Sequence, residues 1–197
     1  MIYSFSGTDG VGKSTQIVML AKYLQCANVD YRILYVRGGK TPLCVRYKKI
    51  IKYFKLDASN SIVRRLGIDI AILEMIYLWA IKLRVLNRKD RVVICDRYIQ
   101  DTWVDFSQQY GYKKGILWKQ LEKLCPKPEH SILYHTDAMT VFSRLAKKEF
   151  VSIEQVDSIA NSLNAYLEIM ENFDSVLDAD ISVDALFLNT LQALKLH

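Results

Sequence analysis

Gly7-Thr8-Asp9-Gly10-Val11-Gly12-Lys13-Ser14 follows directly on the apolar run Ile2-Tyr3-Ser4-Phe5 and leads into a helical pattern from Ser14 to Leu24. The spacing G-x-x-x-x-G-K-[ST] between a strand and a helix describes a loop whose backbone N–H groups wrap a polyphosphate, with the helix aiming its positive end at the same charge. In such a loop Lys13 reaches the β- and γ-phosphates and the Ser14 hydroxyl holds Mg²⁺, while Gly7, Gly10, Val11, Gly12 and Thr15 complete the cradle. A glycine-rich turn that binds nothing is the competing reading. Spacing, lysine and flanking elements together stand against it.

Outward from the loop, strands and helices alternate, which is how parallel α/β sheets are written. Strands are expected at Ile2–Phe5, Tyr31–Val36, Val92–Cys95, Ser131–His135 and Val176–Asp178. Helices are expected at Lys13–Leu24, Leu43–Phe54, Asp69–Asn87, Gly115–Leu124, Ala138–Lys147, Ile153–Phe173 and Val183–Leu194, with a further short one at Thr102–Gln109. The pattern predicts a three-layer α/β sandwich with a five-stranded parallel sheet flanked by helices.

A chain of 197 residues, 51% hydrophobic, suits one well-buried domain over residues 1–197 and leaves little room for a second. Met1 leads straight into the first strand, which argues against a secretory leader. Cys26, Cys44, Cys95 and Cys125 form no C-x-x-C pair and there are three histidines, so a zinc site or a disulfide framework has little support, and a reduced, cytoplasmic protein is expected. The net charge of +6 is densest in Arg46–Lys55, where apolar residues recur at helical spacing. A solvated basic helix face is preferred there over a nucleic-acid patch, and the charge excess then serves solubility and a phosphate-attracting cleft.

The loop acid Asp9 adds negative charge beside a polyanion, a cost unless the side chain turns toward another ligand such as a sugar hydroxyl. With Val92-Val93-Ile94-Cys95-Asp96-Arg97-Tyr98 downstream, and Arg37-Gly38-Gly39-Lys40-Thr41-Pro42 after the second strand, the chain resembles the thymidylate kinase family. The resemblance runs in order along almost the whole chain, down to Val176-Leu177-Asp178-Ala179-Asp180. It implies an ATP-dependent, Mg²⁺-using nucleoside monophosphate kinase that transfers the γ-phosphate to dTMP. Asp9 would contact the acceptor sugar, Arg37 and Arg97 would grip the acceptor phosphate with help from Lys40, and Asp96 would stand near the metal. It also implies a homodimer, with no nucleic-acid or membrane partner.

Three features depart from the family pattern. Some relatives carry an arginine in the phosphate loop where this chain has Gly10, so the charge for the transferring phosphate must come from a short lid around 144–153. That segment offers Arg144, the expected catalytic arginine, and Lys147 and Lys148 behind it. The family's arginine over the pyrimidine aligns with Met75 or Lys82. After Asp-Arg-Tyr, Asp101 and Asp105 share one helical face and either bind hydroxyls of the acceptor or are solvated, while Trp103 and Phe106 either stack on a base or belong to the core. The apolar run Gly67–Ile81 is interrupted by Asp69 and Glu74, which excludes a membrane span and leaves a central core helix or a twofold subunit contact. Three functional readings remain: a dTMP kinase, a kinase of the same scaffold with another acceptor, and an ATP-binding protein without turnover.

Overall fold

The computed structural model describes all residues except 36–41, 56, 58–59, 148–152 and 197, and the side chains of 42, 78 and 153–155. Five strands, β1 (Ile2–Ser6), β2 (Asp30–Tyr35), β3 (Arg91–Asp96), β4 (His130–His135) and β5 (Ser175–Asp178), form one parallel sheet in the order β2-β3-β1-β4-β5. Tyr3 pairs with Ile94 on one side and His130 on the other, so β1 lies at the centre. The order reverses direction at β1. The crevice beyond the carboxyl ends of β1 and β3 is therefore where such a sheet binds a ligand.

The interior strands are buried along nearly their whole length because both faces are covered. On one face Val92, Ile94, Tyr3 and Phe5 pack against Ile17, Leu20 and Leu24 of α1 (Lys13–Cys26) and Leu186 of α9 (Val183–Ala193). The period of two sends Ile2, Val93 and Cys95 to the other face. There they meet Ile72 and Met75 of α3 (Ser61–Met75), Leu83 of α4 (Ile81–Leu86), Phe106 of α5 (Ile99–Tyr110) and Trp118 and Leu121 of α6 (Ile116–Leu124). The remaining helices are α2 (Pro42–Tyr53), α7 (Ala138–Ala146) and α8 (Ile153–Leu167).

Three boundaries correct the sequence reading. The expected Asp69–Asn87 helix begins eight residues earlier at Ser61, where the Asn60 side chain accepts a hydrogen bond from the Ile62 amide at 2.9 Å, and it passes through a π-helical turn at Ile76–Ala80 before α4. Gly67 sits inside this helix because Tyr47 of α2 packs on it: a Cβ there would lie 3.0 Å from the ring. The expected Ile153–Phe173 helix ends at Leu167, and a 3₁₀ turn at Met170–Asn172 carries the chain to β5. Arg97 and Tyr98 do not extend the strand expected at Val92–Cys95. Instead β3 ends at Asp96, Arg97 turns with φ +71°, and Tyr98 caps α5, which starts three residues before the expected Thr102.

The acid that interrupts the apolar run, Glu74, is buried, and its carboxylate accepts from the Leu43 amide at 2.9 Å and from the Cys44 amide at 3.3 Å. A carboxylate at a helix N-terminus meets both orphan donors and the positive end of the dipole, so Glu74 fastens α2 to α3. Among the described residues no helix is long and apolar enough to cross a membrane.

Candidate active site

The loop Gly7–Ser14 leaves the central strand and enters α1 with Gly12 as its cap, in the left-handed region at φ +110°. Gly7 has φ +136° and faces the Tyr134 carbonyl of β4, where a Cβ would come within 2.5 Å of the oxygen, so only glycine lets the loop pass there. Lys13 is buried and folds back over the loop, its ammonium donating to the carbonyls of Gly7 (2.6 Å) and Thr8 (2.7 Å). Burial, and then the Arg97 cation, push the Lys13 pKa down to about 8 against the pull of Asp101, Asp9 and Asp96. Ser14 and Thr15 are exposed, and with Lys13, Tyr35, Asp96 and Arg97 they line a cleft of about 190 Å³.

Arg97 stands at the carboxyl end of β3, its amide donating to the Phe5 carbonyl at 2.9 Å. Positive φ at an arginine is strained backbone, and it persists because the side chain is held on all sides. One terminal nitrogen pairs with Asp9, and the other lies 3.4 Å from the Asp101 carboxylate and 3.5 Å from both the Gly7 carbonyl and the Tyr166 hydroxyl. Burial lowers the Arg97 pKa, but Asp101, Tyr166 and Asp9 outweigh it and the net shift is upward. Asp9 itself is 72% exposed, so the ion pair sits at the rim of the cleft.

Asp101 is not an acceptor contact, nor is it solvated. It is 0% exposed, with one carboxylate oxygen accepting from the Ser6 hydroxyl (2.6 Å) and the Tyr98 amide (2.8 Å). The other accepts from the Tyr166 hydroxyl (2.6 Å), the Gly7 amide (3.3 Å) and Arg97. A carboxylate so completely engaged has no lone pair left for a sugar hydroxyl. It closes the first turn of α5 and ties the phosphate loop to Arg97. Asp105 acts through its charge, adding to the upward shift of Arg97.

Asp96 lines the same cleft half-buried, and burial holds its carboxyl above the ordinary carboxylate range against the pull of Lys13 and Arg97. The Ser14 hydroxyl and the Asp96 carboxylate are hard oxygen donors on one cleft, a set that fits Mg²⁺ shared with waters and phosphates. No group of three or more His, Cys, Asp or Glu side chains among the described residues could hold a metal alone.

Arg144, expected on the transferring phosphate, donates instead to the Val11 carbonyl of the phosphate loop (3.2 Å) and to the Ala179 carbonyl after β5 (2.7 Å). Its neighbour Leu145 occupies the space over Gly10, where a Cβ would come within 2.8 Å of the leucine side chain. In this way α7 is fastened to the loop. Lys147 is exposed, whereas Lys148 and the rest of 148–152 in the expected lid fall outside the described residues, as do Arg37 and Lys40.

Of the positions aligned with the family's pyrimidine arginine, Met75 is fully buried in the core and Lys82 stands over the Trp79 ring at 5.2 Å. Phe106 belongs to the core and also lines an apolar cavity of about 170 Å³ between α2, α3 and α5, with Cys44, Ala71, Arg64 and Tyr110 on its walls. Trp103 packs against the core with Lys114 over its ring. Sequence reasoning missed Tyr166 and Tyr35. A tyrosine on an amphipathic helix carries no local signal, and that of Tyr35 was only its place at a strand's carboxyl end.

A phosphate loop at the switch point of a five-stranded parallel sheet, facing an arginine across one cleft, defines the class of P-loop phosphotransferases. Within it, the thymidylate kinase family model matches residues 5–186, and the chain belongs to that family. It is 25% identical over 187 residues to a probable thymidylate kinase of Methanobrevibacter smithii, covering 93% of this chain and 88% of the relative. With the thymidylate kinase of Chlorobaculum parvum it shares 26% identity over 226 residues, covering 99% and 97%. The fold is similar to that of a thymidylate kinase from Candida albicans, with a TM-score of 0.66 and 16% identity over 98% of this chain and 90% of that one.

Proposed function

We propose that the chain transfers the γ-phosphate of ATP to dTMP, giving dTDP and ADP. The observation that carries this reading is the buried carboxylate of Asp101, which binds the first amide of the phosphate loop and the acceptor-side arginine at once. Phosphoryl transfer asks the protein for position and charge rather than covalent chemistry. The loop amides and Lys13 hold the donor phosphates, Arg97 holds the acceptor phosphate, and both sit on neighbouring strand ends. Asp9, at the rim beside Arg97, is proposed to contact the acceptor sugar, and Arg37 and Lys40 to add charge on that side. Ser14 and Asp96 would hold Mg²⁺, which would neutralise charge on the donor phosphates. Arg144 is proposed to shape the donor cradle through the Val11 and Ala179 carbonyls.

One domain over residues 1–197, with a short lid around 144–153, would enclose the reaction. A homodimer is proposed through the outer face of α3, the π-helical turn and α4, where Ile62, Leu66, Leu73, Tyr77, Ile81 and Val85 are exposed. A cytoplasmic location fits the four free cysteines, three of them buried. The exposed lysines of α2 are read as a solvated face, without a nucleic-acid or membrane partner.

A second reading, the same chemistry on another small phosphorylated acceptor, is favoured by one observation: neither Met75 nor Lys82 offers a guanidinium to a pyrimidine. Release of ADP from Mg²⁺-ATP across a panel of nucleoside monophosphates separates the two. Turnover with dTMP above the rest supports the first, turnover with a different acceptor supports the second, and ATP binding without acceptor-dependent turnover overturns both.

A further inference from the structure

Tyr166 lies on α8, with its hydroxyl 3.5 Å from Arg97, and is 1% exposed. Its ring fills a satellite core with Val104, Leu133, Ala165 and Ile169, a role that phenylalanine would fill equally well. The hydroxyl needs another explanation. It donates to Asp101 at 2.6 Å, onto the same carboxylate oxygen that receives the Gly7 amide at 3.3 Å and Arg97 at 3.4 Å. The hydroxyl makes the shortest bond in that set, and the two longer bonds accept whatever position the oxygen takes. Burial and the Asp101 charge both raise the Tyr166 pKa, so the hydroxyl keeps its proton and remains a donor.

We propose that Tyr166 is a positioning residue for phosphoryl transfer, its hydroxyl fixing the Asp101 oxygen on which the phosphate loop and Arg97 both hang and so holding donor and acceptor phosphates in register. This rests on the reading of Arg97 as the acceptor-phosphate group. Removing the hydroxyl leaves that oxygen free to draw Arg97 inward, away from the acceptor. In-line transfer is sensitive to small displacements of this kind.

The test is Tyr166→Phe, which keeps the ring and the packing, so the melting temperature should fall by about 5 °C or less. With dTMP and Mg²⁺-ATP, KM for dTMP should rise about tenfold while KM for ATP stays within about twofold. In an Arg97→Lys background the same substitution should add less than about twofold to KM for dTMP, because the group that reads the hydroxyl is already gone. Equal changes in both KM values, additive effects, or an unchanged KM for dTMP would overturn the inference. If the parent chain does not turn over dTMP, the functional reading fails by itself, and the arginine side-chain NMR spectrum decides the inference. Arg97 Nη–H signals that move or merge in Tyr166→Phe support it, and identical spectra overturn it.

Discussion

On the proposed function, Lys13 serves two sets of partners in turn. With its ammonium on the carbonyls of Gly7 and Thr8 it closes the loop over itself, and a polyphosphate must offer more than those two acceptors to draw it outward. Lys13→Ala is expected to cut ATP turnover by a factor of about 10² or more, since a cation in a water-poor site acts directly on developing phosphate charge. The same variant should melt within about 3 °C of the parent, because it removes a desolvated charge along with two hydrogen bonds. Turnover unchanged, or a collapse of the fold, would count against the assignment. Arg144 is expected to behave differently. Both terminal nitrogens are engaged with the Val11 and Ala179 carbonyls, and on the proposed role Arg144→Ala should raise KM for ATP by about tenfold with kcat changed by less. A fall of kcat on the order of 10³ with KM for ATP unmoved would restore the transition-state role expected from the sequence. At this scale the sequence was legible wherever a motif is local, as in Gly7–Ser14. It was opaque at Asp101, whose partners Ser6, Gly7 and Tyr166 come from two other elements and no spacing records them.

Elements were legible in proportion to how far one surface dictates their pattern. The interior strands stood out as unbroken apolar runs because helices cover both faces, and the basic α2 stood out by its exposed lysines. The start of α3 was misjudged for reasons that lie between elements. Gly67 weakens a helical reading of its surroundings, yet it is there to admit the Tyr47 ring, whose hydroxyl reaches the Val63 carbonyl at 2.6 Å. Glu74 reads as a break in an apolar helix and is the clasp that holds the start of α2. Glu74→Ala would strand the Leu43 and Cys44 amides, a cost of about 1–3 kcal/mol for buried donors without a partner. The expected result is a melting temperature lower by roughly 3–10 °C in calorimetry. A variant as stable as the parent would mean that water satisfies both amides and that the clasp is incidental.

For the whole molecule, the question is what covers the outer face of α3 and α4. The sequence presents this helix as apolar nearly all round, and the structure buries one side with Ile72, Met75 and Leu83 against the sheet. The other side leaves Ile62 and Leu66, and after a gap Leu73, Tyr77, Ile81 and Val85, exposed at four-residue steps, close to a helix's own period and not a scatter of lone exposed side chains. A stripe of this kind meets its own copy most simply by a twofold axis, each helix packing on its mate. Tyr77, 68% exposed near the middle of the stripe, is the position where one charge would be hardest to accommodate in such a contact. On an isolated chain Tyr77→Glu changes stability by about 0.5 kcal/mol or less, as surface substitutions do. In a dimer it places two carboxylates near the axis without partners, a cost of several kcal/mol when buried charge is left unpaired. Sedimentation equilibrium at micromolar concentration should therefore find the parent dimeric and Tyr77→Glu monomeric, with the far-ultraviolet spectrum unchanged. A monomeric parent, or a variant that stays dimeric, would move the interface elsewhere and leave the stripe without an occupant.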